Sequence, residues 1–287
     1  MEPRAELERV WRRTDELFAL LAPAALYDQP IALRQPVIFY VGHLPAFAWN
    51  QLARGLRDAP AADAHKDELF ARGIDPVDTD AYAAARPEEW PSPAATLAYR
   101  DDVRARLRAL ADTLDPADER VRIVLHTVLE HESMHHETLL YLFEQLAPER
   151  KRVPAAAPPP AGAYEPRHVT VPAGTATLGA ADDAPFAWDN ERARHEVLVP
   201  AFAIDAMPVT NAGFRAFVDA GGYQQRRFWG GDAWAWRERR GIVRPQAWTL
   251  RDRRLRHRTL GGDVPWADGA DWPASVSHAE ASAYARW

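Results

Sequence analysis

Four of the ten histidines, His126, His131, His135 and His136, fall within eleven residues of one another. His131 and His135 stand at i and i+4. On a helix that spacing leaves them about 40° apart around the axis and about 6 Å apart along it, so both imidazoles can reach one metal ion. Two ligands leave a metal unsaturated, and a third must come from another element. His43 is the candidate, because it sits in the apolar stretch Tyr40-Val41-Gly42-His43-Leu44-Pro45-Ala46-Phe47, where an unpaired imidazole is costly. Chance spacing would explain the pair alone, and a hydrogen-bonded core residue would explain His43 alone. Their conjunction is what points to a metal. A face of His43, His131 and His135 suits Fe(II) and Zn(II) alike, so the donor set leaves the metal open. The 287 residues contain no cysteine, which excludes a disulfide framework, a thiolate nucleophile and Cys-ligated zinc or iron–sulfur sites.

Glu137, six residues beyond His131, is about 120° away around an unbroken helix and is expected in an ion pair or a supporting hydrogen bond. Met134 is expected to edge the pocket or fill core, and His65, in a charged loop, to be solvated. A rival reading takes His131-Glu132-Ser133-Met134-His135 as H-E-x-x-H, the zinc metalloprotease helix with Glu132 as general base. The extended form of that motif needs Gly at 138 and His at 141, where this chain has Thr138 and Tyr141.

Helices must hold these residues. Leu7, Val10, Trp11, Leu17, Phe18 and Leu21 recur at helical spacing and predict a first helix over residues 2–27. A second is expected over 37–56 and a third over 94–114, separated by a Pro-, Asp- and Ala-rich connection, 58–93. Asp115-Pro116 reads as the cap and first position of a fourth helix, which runs to about Leu146 and carries the histidine cluster. Four such helices in 150 residues fit a four-helix bundle, whose interior is a natural place for a metal site. The bundle is assigned to 1–147 and a proline-rich linker, centred on Pro158-Pro159-Pro160, to 148–166. From 167 to 287 the texture changes to short alternating strands, Gly and Pro turns, one clear helix at 211–220, and eight of the eleven tryptophans. This is a loop-rich α+β domain with a tryptophan core. Ser277 and Glu280 form a capping-box pattern, and the chain stops inside the helix they open, so it reads as truncated within this domain.

The net charge of −6 divides into −9 over residues 1–150 and +3 over residues 151–287. Neither half is a nucleic-acid footprint, although nine arginines lie between Arg237 and Arg258; these read as a solvated hairpin or loop, with an anion or partner patch as the alternative. No apolar run can span a membrane, and charges fill the first twenty residues, so no signal peptide is expected and the protein is placed in the cytoplasm. No signal for an oligomeric state was found.

The chain resembles the non-haem iron sulfoxide synthases of ergothioneine and ovothiol biosynthesis and their relative selenoneine synthase. His131, His135 and Glu137 meet the family's H-x3-H-x-E, and Gly42-His43 meets its upstream Gly-His. Val171-Pro172-Ala173-Gly174, Phe186-Ala187-Trp188-Asp189-Asn190-Glu191, Arg194-His195-Glu196-Val197, Pro208-Val209-Thr210-Asn211 and Val276-Ser277 through Trp287 resemble its C-terminal domain. Met134, where ergothioneine-type enzymes commonly have Gln, and His278 in place of Trp lean towards the selenoneine branch.

The resemblance implies a DinB-like four-helix bundle joined to a formylglycine-generating-enzyme-like (C-type-lectin-like) domain, with Fe(2+) on His43, His131 and His135. The implied reaction joins the imidazole of a histidine betaine to a thiol or selenosugar donor using O2. No catalytic acid is assigned, and neither nucleic acid nor membrane is an expected partner. A zinc-dependent DinB-like hydrolase or thiol transferase is the alternative on the same bundle.

Overall fold

The computed structural model describes residues 2–71, 90–154 and 167–287; the Pro158-Pro159-Pro160 run and half of the 58–93 connection, residues 72–89, lie outside them. Two compact units result. One takes the residues up to Pro154 together with Ala180–Ala193, the other 167–179 together with Arg194–Trp287.

In the first unit, α1 (Pro3–Ala19) buries Leu7, Val10, Trp11, Thr14 and Leu17 along one stripe and leaves its Arg and Glu residues outside. It ends earlier than the expected residue 27, and Pro23 opens a separate 3-10 turn, Pro23–Ala25. The second helix, α2 (Val37–Trp49), carries no charged residue and is buried on nearly every side, as a central helix must be. It continues through a π-helical turn, Asn50–Arg54, into a last turn, Gly55–Arg57.

A helix not foreseen from the sequence, α3 (Ala64–Phe70), lies within the connection and packs on α2. Asp63 caps it by accepting from the Lys66 N–H, and His65 is exposed on this helix rather than in a loop. Two longer helices, α4 (Pro93–Ala111) and α5 (Glu119–Glu144), complete the bundle, α4 against α2 and α5 against α1. The cap of α5 is Asp118, whose carboxylate accepts from the N–H groups of Arg120 and Val121. Asp115, the expected cap, instead accepts from Ala117 N at 2.9 Å and closes a turn ahead of the helix. The start of the proline-rich segment also belongs to this unit, since Arg152 N donates to the Leu20 carbonyl at 2.7 Å and Leu21 bridges Lys151.

The second unit has three small antiparallel sheets. The strands β1 (His168–Val171) and β4 (Phe202–Asp205) pair from His168↔Asp205 to Val171↔Phe202. Likewise β2 (Gly174–Leu178) and β3 (His195–Val199) pair from Gly174↔Val199 to Leu178↔His195. A three-stranded meander joins β5 (Trp248–Arg251), β6 (Arg254–Thr259) and β7 (Gly262–Pro265). The core is mixed aromatic, with Phe214, Phe217, Tyr223, Phe228, Trp229 and Trp248 at its centre. It is supported by α6 (Asn211–Asp219), α7 (Gly231–Arg240) and α8 (His278–Arg286), the last opened by the Ser277/Glu280 capping box. The arginine-rich segment is therefore not all hairpin or loop: its first three arginines end α7, where positive charge opposes the negative end of the helix dipole.

Candidate metal centre

α2 presents His43 and α5 presents His131 and His135 to one point. His43 Nε2 lies 3.3 Å from His131 Nε2, and ligand-capable atoms of all three residues fall within 4.8 Å of one another. Ligands at about 2.1 Å from a shared ion, subtending 90° to 109°, stand roughly 3.0 to 3.4 Å apart, so the closest pair already has coordination spacing.

Each imidazole is set by its neighbours. His43 Nδ1 is 2.7 Å from the Phe70 carbonyl oxygen at the end of α3. A carbonyl only accepts, so Nδ1 carries the proton and Nε2 keeps its lone pair for the shared point. Phe39 stacks on the His43 ring at 4.8 Å, and Phe47 stacks on the His131 ring at 3.6 Å, nearly parallel. His135 Nδ1 is buried with no hydrogen-bond partner. A buried ring nitrogen without a partner is costly, so this imidazole is not accounted for by hydrogen bonds within the protein.

The electrostatics agree. Burial, reinforced by the other imidazoles, pushes His131 down to about 2 and His135 down to about 3, and burial also holds His43 below its ordinary value. All three rings are neutral at pH 7, the form that ligates metal.

The Phe70 carbonyl is itself held in place. Asp67, 2% exposed, accepts from Ala62 N at 2.8 Å and from Tyr99 Oη at 2.6 Å, tying α3 to its own leading loop and to α4. One turn later the Phe70 ring packs so closely over Gly42 that a Cβ there would overlap it. Gly42 is thus the absence of a side chain that lets α3 approach α2 beside His43.

The other histidines of α5 do different work. His136 Nε2 lies 2.8 Å from Thr14 Oγ1 of α1, and His126 stacks on Phe186 of the 180–193 segment at 5.5 Å. Glu137 is exposed, as its helical phase requires, and Met134 is half exposed.

Glu132 is 2% exposed and turns towards α1 and α4: Thr14 Oγ1 donates to it at 2.5 Å, and Arg104 Nη2 is 4.0 Å away. Burial pushes its carboxyl up to about 7. This arrangement corrects the metalloprotease alternative. A general base must face metal-bound water, whereas this carboxylate is committed to Thr14 on α1 and lies beside Arg104 on α4.

Sequence reasoning missed α3, Asp67, Tyr99 and Thr14 as supports of the site. The signal for α3 was present in Asp63, a capping residue ahead of a short apolar-patterned run. Nothing local marks Thr14, a polar residue in an apolar stripe, as the partner of Glu132.

The DinB superfamily matches residues 6–139, and the sulfatase-modifying factor enzyme 1-like domain matches residues 154–287. The chain is 37% identical over 201 residues to the hercynine oxygenase of Mycolicibacterium smegmatis, covering 68% of this chain and 45% of that protein. It is 33% identical over 234 residues to ergothioneine biosynthesis protein 1 of Neurospora crassa, covering 74% of this chain and 26% of that one. With ergothioneine biosynthesis protein 1 of Schizosaccharomyces pombe the identity is 28%, over 93% of this chain and 37% of that protein. The chain thus spans less than half the length of these curated relatives. With both modules in this order and relatives of this kind, the chain belongs to the family of ergothioneine biosynthesis protein 1 and hercynine oxygenase, here a DinB-type bundle followed by a sulfatase-modifying-factor-like domain.

Proposed function

We propose that His43, His131 and His135 hold Fe(II), and that the protein forms a C–S or C–Se bond between the imidazole of a histidine betaine (hercynine) and a thiol or selenosugar donor, using O2. The observation that carries this reading is the convergence of three imidazoles, two buried and one half-buried, with one of them locked through Nδ1 to a backbone carbonyl. The printed names of the relatives support hercynine as the acceptor and an oxygenase as the type of enzyme. When bound, Fe(II) would supply the O2 chemistry and a soft partner for sulfur or selenium.

The chain's own residues prepare that chemistry. Three protein ligands would leave an ion held there with positions open to substrates, and Phe39, Phe47 and Tyr40 pack their rings against the imidazoles. The Phe70 carbonyl fixes which nitrogen of His43 faces the ion. The selenium alternative rests on Met134 and His278, where the ergothioneine-type wording differs. No helix among the described residues is long and apolar enough to cross a membrane, which accords with work in the cytoplasm.

Metal analysis with activity separates the readings. Anaerobically prepared protein should take up one Fe(II) per chain, consume O2 only with hercynine and a thiol or selenol both present, and yield a product whose mass identifies the chalcogen. Zinc as the retained metal, with hydrolysis or thiol transfer and no O2 uptake, would replace this proposal with the zinc-enzyme alternative.

A further inference from the structure

The arginines between Arg251 and Arg258 have no part in the metal site, yet in the second unit they help build an open cleft of about 620 Å³. Arg215 of α6 and Arg253, Arg254 and Arg256 of the β5–β6 hairpin line it beside Trp266, and among the described residues no acidic side chain does. Of the four, Arg215 is ion-paired, with Asp219 at 3.1 Å, while its guanidinium also lies 5.1 Å over the Trp266 ring. Among the described residues neither Arg253 nor Arg254 has a carboxylate partner.

Two features distinguish this cluster from a solvated charged face. Arg256 is pinned, its Nη2 donating to the Asp263 carbonyl at 2.8 Å, and its Nε is buried with no acceptor in the protein. The hairpin turn is also costly for its residues. Asp252 and Arg253 have φ of 50° and 60°, a two-residue geometry that favours Asn-Gly, so Arg253 is held in the left-handed region although it has a side chain. That turn sets Arg253 and Arg254 side by side at the cleft. Several guanidinium groups converging without carboxylates repel one another and match the oxygen geometry of phosphate and carboxylate groups.

We infer that this cleft binds a small multivalent oxyanion, a phosphate ester or a polycarboxylate, at a site built by residues of the second unit. Calorimetric titration of the purified chain with pyrophosphate and with citrate tests this, with a 20-nucleotide single strand as a third probe. Saturable one-to-one binding of at least one small anion is expected, with a Kd below about 1 mM, unchanged by a metal chelator. Pyrophosphate alone identifies a phosphate ligand, citrate alone a polycarboxylate. Arg254→Ala with Arg256→Ala should weaken binding at least tenfold. Because Arg256 also braces the hairpin, Arg253→Glu with Arg254→Glu, both exposed, provides a second test with the same expected loss. Arg239→Glu with Arg240→Glu, exposed on α7 outside the cleft, should leave affinity within about threefold. The inference is overturned by failure of both small anions to bind, by equal weakening in the α7 control, or by oligonucleotide binding that neither anion displaces.

Discussion

His43 Nδ1 donates to the Phe70 carbonyl across 2.7 Å, and this bond joins the fate of one candidate ligand to a seven-residue helix in another part of the sequence. Because a carbonyl cannot donate, the bond selects one tautomer and aims Nε2 at His131, 3.3 Å away. Supports of this kind govern metal affinity nearly as much as the ligands themselves.

Gly42→Ala tests the approach of α3. The added methyl meets the Phe70 ring and must move α3 or turn α2, which breaks the bond to His43. Metal affinity should fall about 10- to 100-fold, read by anaerobic Co(II) titration in the visible band, while helical content by circular dichroism stays within error. Affinity equal to wild type would mean that the carbonyl contact has no bearing on the site.

Asp67→Ala removes the acceptor for Ala62 N and Tyr99 Oη in a buried position. Leaving those donors unpaired should cost about 3 kcal/mol of stability and, by loosening α3 and its Phe70 carbonyl, should also weaken Co(II) binding to the folded protein. Tyr99→Phe, which removes one of the bonds, should reproduce both effects at smaller size. Lost stability with unchanged affinity would make Asp67 a structural residue only.

Glu132→Gln is expected to retain metal affinity within a factor of about three, under 1 kcal/mol, because its carboxylate faces Thr14 and Arg104. Peptide-cleaving activity in the wild type that disappears in this variant, with metal kept, would restore the protease reading.

The second unit should lose stability in acid through His257. That ring is buried, donates from Nε2 to the Trp266 carbonyl oxygen at 3.1 Å, and is held below its ordinary value of 6.5 chiefly by burial. The unfolded chain takes up the proton near 6.5 and the folded chain resists it, so this contribution is intact above 6.5 and is lost as pH falls below it. Urea unfolding of the second unit, followed by tryptophan fluorescence at pH 7.5 and 5.5, should show the decline, and His257→Gln should flatten it. A wild-type stability that rises on acidification, with no change in slope in the variant, would contradict this.

Much of the site could be read from the chain because it depends on neighbours within a turn or two. The pairing of His131 with His135 follows from helical pitch, the outward direction of Glu137 from the same phase, and the Ser277/Glu280 cap from a four-residue pattern. The four long helices follow from apolar periodicity, and His43 was singled out because an imidazole in an apolar run needs a reason. The cap of α5 was misplaced because Asp115 and Asp118 are both competent. The choice between them lies in how the chain enters the bundle.

What the sequence by itself determined is therefore local: helix phase, caps, the absence of cysteine, and a set of three histidines able to share one ion. Tertiary structure alone decided which carbonyl locks His43, that Glu132 is buried against Thr14, 118 residues away, and that the arginines of one hairpin converge with Arg215 of α6 on a cleft. The physical reason is range. Backbone periodicity and capping act within about one helical turn, whereas burial, ring tautomer and charge convergence depend on elements that meet only when the chain packs.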